Sequence, residues 1–214
     1  MPDRPMIRSR PILAALVAVV LSLGLAAPPS WAQGQPSTQA EIRTMLEQRD
    51  QEIKSILSGS SSYSQEQRAR LKELINGVLD FRAMAQTALG PHWDTLGTDR
   101  RDRFVDVFRD VVRAQSMGDL DVYNSKVTFD QISVQGDSAR VRTRTEYQGT
   151  RTPVVYILER EEEDGWKAED IIVDGVSTAE GYARSFQSVM RKRGFDALMT
   201  ALERKRDQTA STEG

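Results

Sequence analysis

A chain with one histidine and no cysteine has few routes to metal or covalent chemistry. His92 stands beside Trp93, just past Gly90-Pro91. Zinc sites are built from several Cys, His and carboxylate ligands, so a single imidazole excludes the usual sets. A Ser-His-Asp triad would have to use His92, yet no G-x-S-x-G elbow is present to present the serine. No phosphate-binding glycine loop and no calcium-loop spacing occurs. The acidic run Glu161 to Asp164 precedes Gly165 and has the composition of a solvated hairpin tip rather than a cation site. Asp170 is the remaining candidate. Alternation along GWKAEDIIV puts it on one strand face with Trp166, Ala168 and Ile172. A carboxylate in an apolar cavity has a raised pKa and can serve as a general base. The same acid hydrogen-bonded to backbone would be structural, and no acid–base partner for it can be named from the sequence.

The elements that would position Asp170 follow from the pattern around it. Gly175 ends the strand, and Ser177 with Glu180 forms an S-x-x-E capping box. Tyr182, Phe186, Val189 and Met190 continue at helical spacing, Gly194 stops that helix, and a short tail helix follows. Upstream, helical periodicity begins at Ala40. Ile42, Met45, Leu46, Ile53, Ile56 and Leu57 form an apolar stripe that Arg49 interrupts. A Ser/Gly loop over Ser58 to Ser62 precedes a second capping box, Ser64 and Gln67, which opens a helix carrying Leu71, Leu74, Ile75, Val78 and Leu79. Asp80 is placed to cap a short helix through Phe81, Met84, Ala85 and Leu89, closed by Gly90-Pro91. Thr98 is expected to cap the next, with Phe104, Val105, Phe108, Val111 and Val112 inward and an Arg/Asp face outward.

After Met117-Gly118 the period becomes two. Val127, Phe129, Ile132 and Val134 make one strand, and Gly136-Asp137 a turn. Ala139, Val141, Thr143, Thr145 and Tyr147 alternate with Arg140, Arg142, Arg144 and Glu146, so the second strand has one wet face. Val154 to Leu158 is apolar on both faces, as in a central strand. The strand bearing Asp170 completes a four-stranded antiparallel meander. Helices before and after such a sheet give an α+β fold with a helical layer on one face, an architecture that can enclose a pocket.

Composition bounds the setting. Of 214 residues 39% are hydrophobic and 28% charged, as in a globular domain. Arg4, Arg8 and Arg10, the apolar run Ile12 to Ala27 and the Ser30-Trp31-Ala32 site predict an export signal over residues 1–32. Residues 33–39 are expected to be a disordered leader, 40–206 a single domain and 207–214 a disordered tail. Without Arg4, Arg8, Arg10 and Asp3, the 29 basic and 31 acidic residues become 26 and 30, a net charge of −4. That surface gives no reason to expect nucleic acid as a partner.

In order and spacing, several of these pieces resemble the MlaC family, the toluene-tolerance (Ttg2-type) auxiliary proteins. They are Asp80-Phe81 with Met84-Ala85; Leu89-Gly90-Pro91 followed by Trp93; the helix from Arg103-Phe104 to Phe108-Arg109; Gly165-Trp166-Lys167-Ala168 with Asp170; Gly175-Val176-Ser177; and Gly194-Phe195-Asp196-Ala197-Leu198. The resemblance runs from about Ile42 to Lys205. Gln115 to Leu120 departs from the tyrosine-bearing pattern of the family, which bears on the cavity wall nearby.

The resemblance implies a curved sheet like that of nuclear transport factor 2, with helical layers enclosing an apolar cavity for the acyl chains of a phospholipid. It implies a periplasmic carrier without a cofactor, the bound phospholipid being its ligand, and no enzyme. The implied partners are an outer-membrane lipoprotein–porin complex and an inner-membrane ABC transporter with an MlaD-type ring, a route that maintains outer-membrane lipid asymmetry. Candidate cavity residues are Phe81, Met84, Leu89, Phe104, Phe108, Val111, Val141, Val154, Tyr156 and Ile172. Two other readings stand beside this one: an enzyme on the same cone with Asp170 as base, and an adaptor with a filled core whose helices bind a protein.

Overall fold

The computed structural model describes residues 36–59 and 62–213; the export-signal reading of residues 1–32 falls outside them. Helix α1 (Pro36–Leu57) begins on a proline, a residue suited to the first helical turn, so residues 36–39 are helical rather than part of a disordered leader. Helix α2 (Gln65–Asn76) opens on the expected capping box: Gln67 N–H donates to Ser64 Oγ at 3.1 Å and Ser64 N–H to Gln67 Oε1 at 2.9 Å. Asp80 Oδ1 accepts from the N–H groups of Arg82 and Ala83, each at 2.9 Å, and so caps α3 (Phe81–Leu89). A 3-10 turn over Gly90–Thr95 leads to α4 (Thr98–Ser116). Here the cap is Gly97, not Thr98: its carbonyl accepts from Arg100 and Arg101, and no side chain caps this end.

The sheet is curved and unclosed. Strands β1 (Lys126–Gln135), β2 (Ser138–Tyr147), β3 (Thr150–Glu161) and β4 (Gly165–Val173) pair in sequence order, all antiparallel. A fifth strand, β5 (Val176–Ser177), pairs with the end of β4 and adds two residues to the expected four-stranded sheet. Farther along β4 on the same edge, Leu79 bridges Ala168, tying the start of α3 to the sheet. Ser177 Oγ accepts from Glu180 N–H at 3.0 Å and starts α5 (Thr178–Glu213). This element is two helices joined at Gly194, whose φ of 78° and ψ of 179° are non-helical. Its second arm continues through 207–213, where composition suggested a disordered tail; Thr209 Oγ1 donates to the Lys205 carbonyl along it.

Two irregularities set which side chains face inward. In β1 the register shifts between Phe129 and Gln131, so Val127 and Phe129 share a face with Ile132 and Val134 despite the change of parity. In β4 the register shifts after Ala168, which pairs with Leu158, while Asp170 pairs with Ile157. One unmatched residue in a strand turns everything beyond it over. Trp166 and Ala168 therefore share the inner face with Ile171 and Val173, while Asp170 and Ile172 point the other way.

The buried side chains fall into three groups. One lies between α3, α4 and α5, where Phe104 and Phe108 stack at 5.7 Å and Phe186 meets both edge-on. A second fills the inner face of the sheet at one end, with Ile42 of α1 against Val141, Leu158, Trp166 and Ala168. A third joins α1 and α2 through Ile53, Leu57, Leu71 and Leu74. Leu79 packs against both of the first two.

Candidate functional site

Where the sheet core ends, the inner face is not filled. A cavity of 390 Å³ lies between the sheet and the helices, at the lower end of the ~300–1,000 Å³ typical of ligand pockets. The alternation of each strand supplies its floor: Val127 and Phe129 from β1, Thr143 and Thr145 from β2, Val154 and Tyr156 from β3, Ile171 and Val173 from β4. The roof comes from α1 (Leu46, Arg49, Asp50, Ile53), the end of α2 with Val78 and Leu79, Val112 and Ser116 of α4, and the 3-10 turn Asp121–Asn124. That turn follows the segment 115–120 that departs from the expected pattern, and it brings Tyr123 into the wall. Val122 and Val173 sit at the opening, 40% and 42% exposed.

The polar groups of the wall are mostly turned away from the space. Thr143 Oγ1 donates to the Val154 carbonyl at 3.1 Å, and Thr145 Oγ1 to that of Thr152 at 3.2 Å. Asn76 is fully buried and donates to the Lys72 carbonyl and Ser116 Oγ, both at 2.9 Å. Tyr123 OH donates to the Ser116 carbonyl at 3.2 Å. Asp50 pairs with Lys54 at 2.7 Å. Satisfied in this way, these groups add little polar character to the lining. Tyr156 differs. It lies deep in the molecule yet keeps free surface, which faces the cavity, and its hydroxyl has no hydrogen-bond partner among the described residues. Burial, and then the charge of Asp50, raises its pKa above the usual phenol value. Burial, then Tyr156 and Asp119, pushes Tyr123 up to about 12. Both phenols therefore stay neutral donors through the physiological range.

This space can hold an apolar ligand. Asp170 does not line it. It lies on the opposite sheet face, where Oδ1 accepts from Ala179 N–H at 3.0 Å at the start of α5. His92 lies in the 3-10 turn, its carbonyl accepting from Thr95 Oγ1. Among the described residues no group of three or more His, Cys, Asp or Glu side chains could hold a metal ion.

Of the ten candidates named from the sequence, the cavity wall contains Val154 and Tyr156. Phe81, Met84, Leu89, Phe104, Phe108 and Val111 instead pack in the helical core, because α3 and α4 turn their apolar stripes toward α5 rather than toward the sheet. Val141 is fully covered in the sheet core. Ile172 pairs with Val155 on the other face, a consequence of the β4 irregularity. The wall residues that sequence reasoning missed come largely from α1, the α2–α3 junction and the turn before β1. The apolar stripe of α1 is legible in the sequence; that it covers a space as well as two cores is not.

The family model described as MlaC protein matches residues 38–204, which is most of the chain. The chain belongs to the MlaC family. The match spans α1 through the second arm of α5, so the cavity lies wholly within it. Among solved structures, a phospholipid-binding protein from Ralstonia solanacearum, in complex with a phospholipid, shares the fold with a TM-score of 0.64. It is 22% identical, and the alignment covers 81% of this chain and 98% of that one. No curated protein matches this MlaC-family chain.

Proposed function

We propose that this MlaC-family chain is a phospholipid carrier that takes acyl chains into the cavity between sheet and α1. The observation that carries the reading is the unfilled inner face of the sheet beside Tyr156, walled by Val, Ile, Leu and Phe with most of its polar groups bonded elsewhere. Family membership and the phospholipid held by the Ralstonia protein support it. Burying an acyl chain is worth ~0.8 kcal/mol per methylene, a gain that a bilayer supplies equally. A carrier must match the bilayer without greatly exceeding it, and a small adaptable pocket suits that balance better than a rigid one.

In this reading the chain is exported to the periplasm, by way of its first 32 residues, and exchanges lipid between an outer-membrane complex and an inner-membrane ABC transporter. It performs no reaction on the lipid and needs no other cofactor. The position of Asp170, outside the cavity and bonded to the start of α5, argues against the general-base alternative. Native mass spectrometry of protein purified from a Gram-negative host tests the proposal. Co-purifying intact phospholipid is the expected result. A lipid-free protein that takes up no added phospholipid would overturn it in favour of an adaptor; lysolipid or free fatty acid as the bound species would favour an enzyme.

A further inference from the structure

Arg49 breaks the apolar stripe of α1, and its side chain lies on a wall between two spaces. One is the 390 Å³ cavity. The other is an open groove of 620 Å³ between α1 and α2, with Glu41, Gln48, Glu52, Arg70 and Glu73 along it. Arg49 and Leu74 line both. A guanidinium is a planar fork of N–H donors. Among the described residues Arg49 makes one hydrogen bond, from Nη1 to the Leu74 carbonyl at 3.1 Å, and no ion pair. Carboxylates that share the two spaces are matched to other cations: Asp50 to Lys54 and Glu52 to Arg70, each at 2.7 Å, and Glu73 to Arg113 at 3.9 Å. Glu41 stands two turns away, about 12 Å along the helix. Arg49 Nη1 and the Glu73 carboxylate flank Gly77: a β-carbon there would meet Glu73 Oε1 and the Glu73 carbonyl at 2.6 Å each and Arg49 Nη1 at 3.3 Å, so Glu73 is the acidic neighbour of the guanidinium, beyond ion-pair distance.

A cation at the seam between an apolar cavity and a polar groove, with donors unused, matches one part of an amphipathic ligand. Chains fill the apolar side, a headgroup lies on the polar side, and an anion joins them. Arginine binds a phosphate diester through paired N–H···O bonds that lysine cannot reproduce. We propose that Arg49 binds the phosphate of the carried lipid, with the acyl chains in the cavity and the headgroup in the α1–α2 groove. The inference rests on the phospholipid reading above. It makes the phosphate itself, beyond the acyl chains, a determinant of what the protein carries.

The test uses delipidated protein, a water-soluble short-chain phospholipid and a diacylglycerol with the same chains, followed by calorimetry. Wild type should prefer the phospholipid. Arg49→Gln should weaken phospholipid binding roughly 10- to 100-fold, the scale of losing a hydrogen bond to a charged group, and leave diacylglycerol binding unchanged. Arg49→Lys should recover part of the loss. Equal loss for both lipids, or none for either, would overturn the assignment and leave Arg49 as a link between α1 and α2. Should Arg49→Gln fail to fold, the wild-type preference and Arg49→Lys decide the matter, since equal wild-type affinity for the two lipids also overturns it. Inorganic phosphate should not compete with the phospholipid; competition would mark a free-anion site instead. Wild type that binds neither lipid would refute the carrier reading itself.

Discussion

Tyr156 and Asp170 sit on neighbouring strands, and the environment of each fixes what it can do. Tyr156 keeps a neutral hydroxyl against an apolar space, and Tyr123 across from it is held neutral up to about 12. A phenol whose folded pKa is raised costs nothing below its unfolded value near 10. Above that value the unfolded chain releases the proton first, so stability falls as pH rises. Stability should therefore be insensitive to these groups from neutrality to about pH 9 and decline between about pH 10 and 12. Tyrosinate absorbance recorded beside circular dichroism checks this: the buried phenols should ionise only as the fold is lost, and smooth titration of all five tyrosines near pH 10 with the fold intact would contradict it. For Asp170 the bond to Ala179 N–H at the start of α5 predicts a structural role. Asp170→Asn keeps an acceptor and removes the charge from a helix N-terminus, so a loss of ~1 kcal/mol with unchanged lipid content is expected in thermal melts and lipid extraction. A stable variant that has lost its lipid would place Asp170 in the binding path.

Elements here are fixed by local signals that can be read in the sequence, and by two strand irregularities of which only one can. The capping residues Ser64, Asp80 and Ser177 act where their spacing indicated. Gly194 breaks α5 as expected, in a region of φ and ψ that is essentially restricted to glycine. Gly194→Ala should cost ~1–3 kcal/mol, because the second arm must leave its place and carry Phe195, Leu198, Met199 and Leu202 out of the helical core. Denaturant unfolding measures this; an unchanged midpoint would show that the break is not needed. The β1 irregularity announces itself, since apolar positions change parity between Phe129 and Ile132. The β4 irregularity is silent: Ile171 and Ile172 are both apolar, so the pattern fits either register. Strict alternation puts Asp170 and Ile172 on the face of Trp166, whereas the irregularity turns both to the opposite face. The helices pose a different difficulty. Periodicity shows that Phe104 and Phe108 face inward, but a stripe buried against α5 and one beside a cavity have the same period.

At the scale of the molecule, the filled cores leave the inner face of the sheet partly uncovered. The helical core of α3, α4 and α5 meets the sheet core at Leu79, and the sheet core with Ile42 closes one end of the inner face. What remains open is the other end, under α1. Among the described residues no helix is long and apolar enough to cross a membrane. A lipid reaching that space would enter near Val122 and Val173 or along the α1–α2 groove beside Arg49. Ile171 and Ile172 offer the most direct test, because they are adjacent in sequence and lie on opposite faces of β4. A tryptophan at 171 has room in the 390 Å³ cavity and would occupy it, whereas one at 172 leaves the cavity intact. The measurement is lipid occupancy by native mass spectrometry of wild type, Ile171→Trp and Ile172→Trp, each confirmed folded by thermal melt. Ile171→Trp should emerge folded and largely free of phospholipid, with a melting temperature no lower than that of delipidated wild type, and Ile172→Trp should carry lipid as wild type does. Equal occupancy in the two variants, or loss of lipid from Ile172→Trp alone, would contradict the assignment of lipid to this cavity.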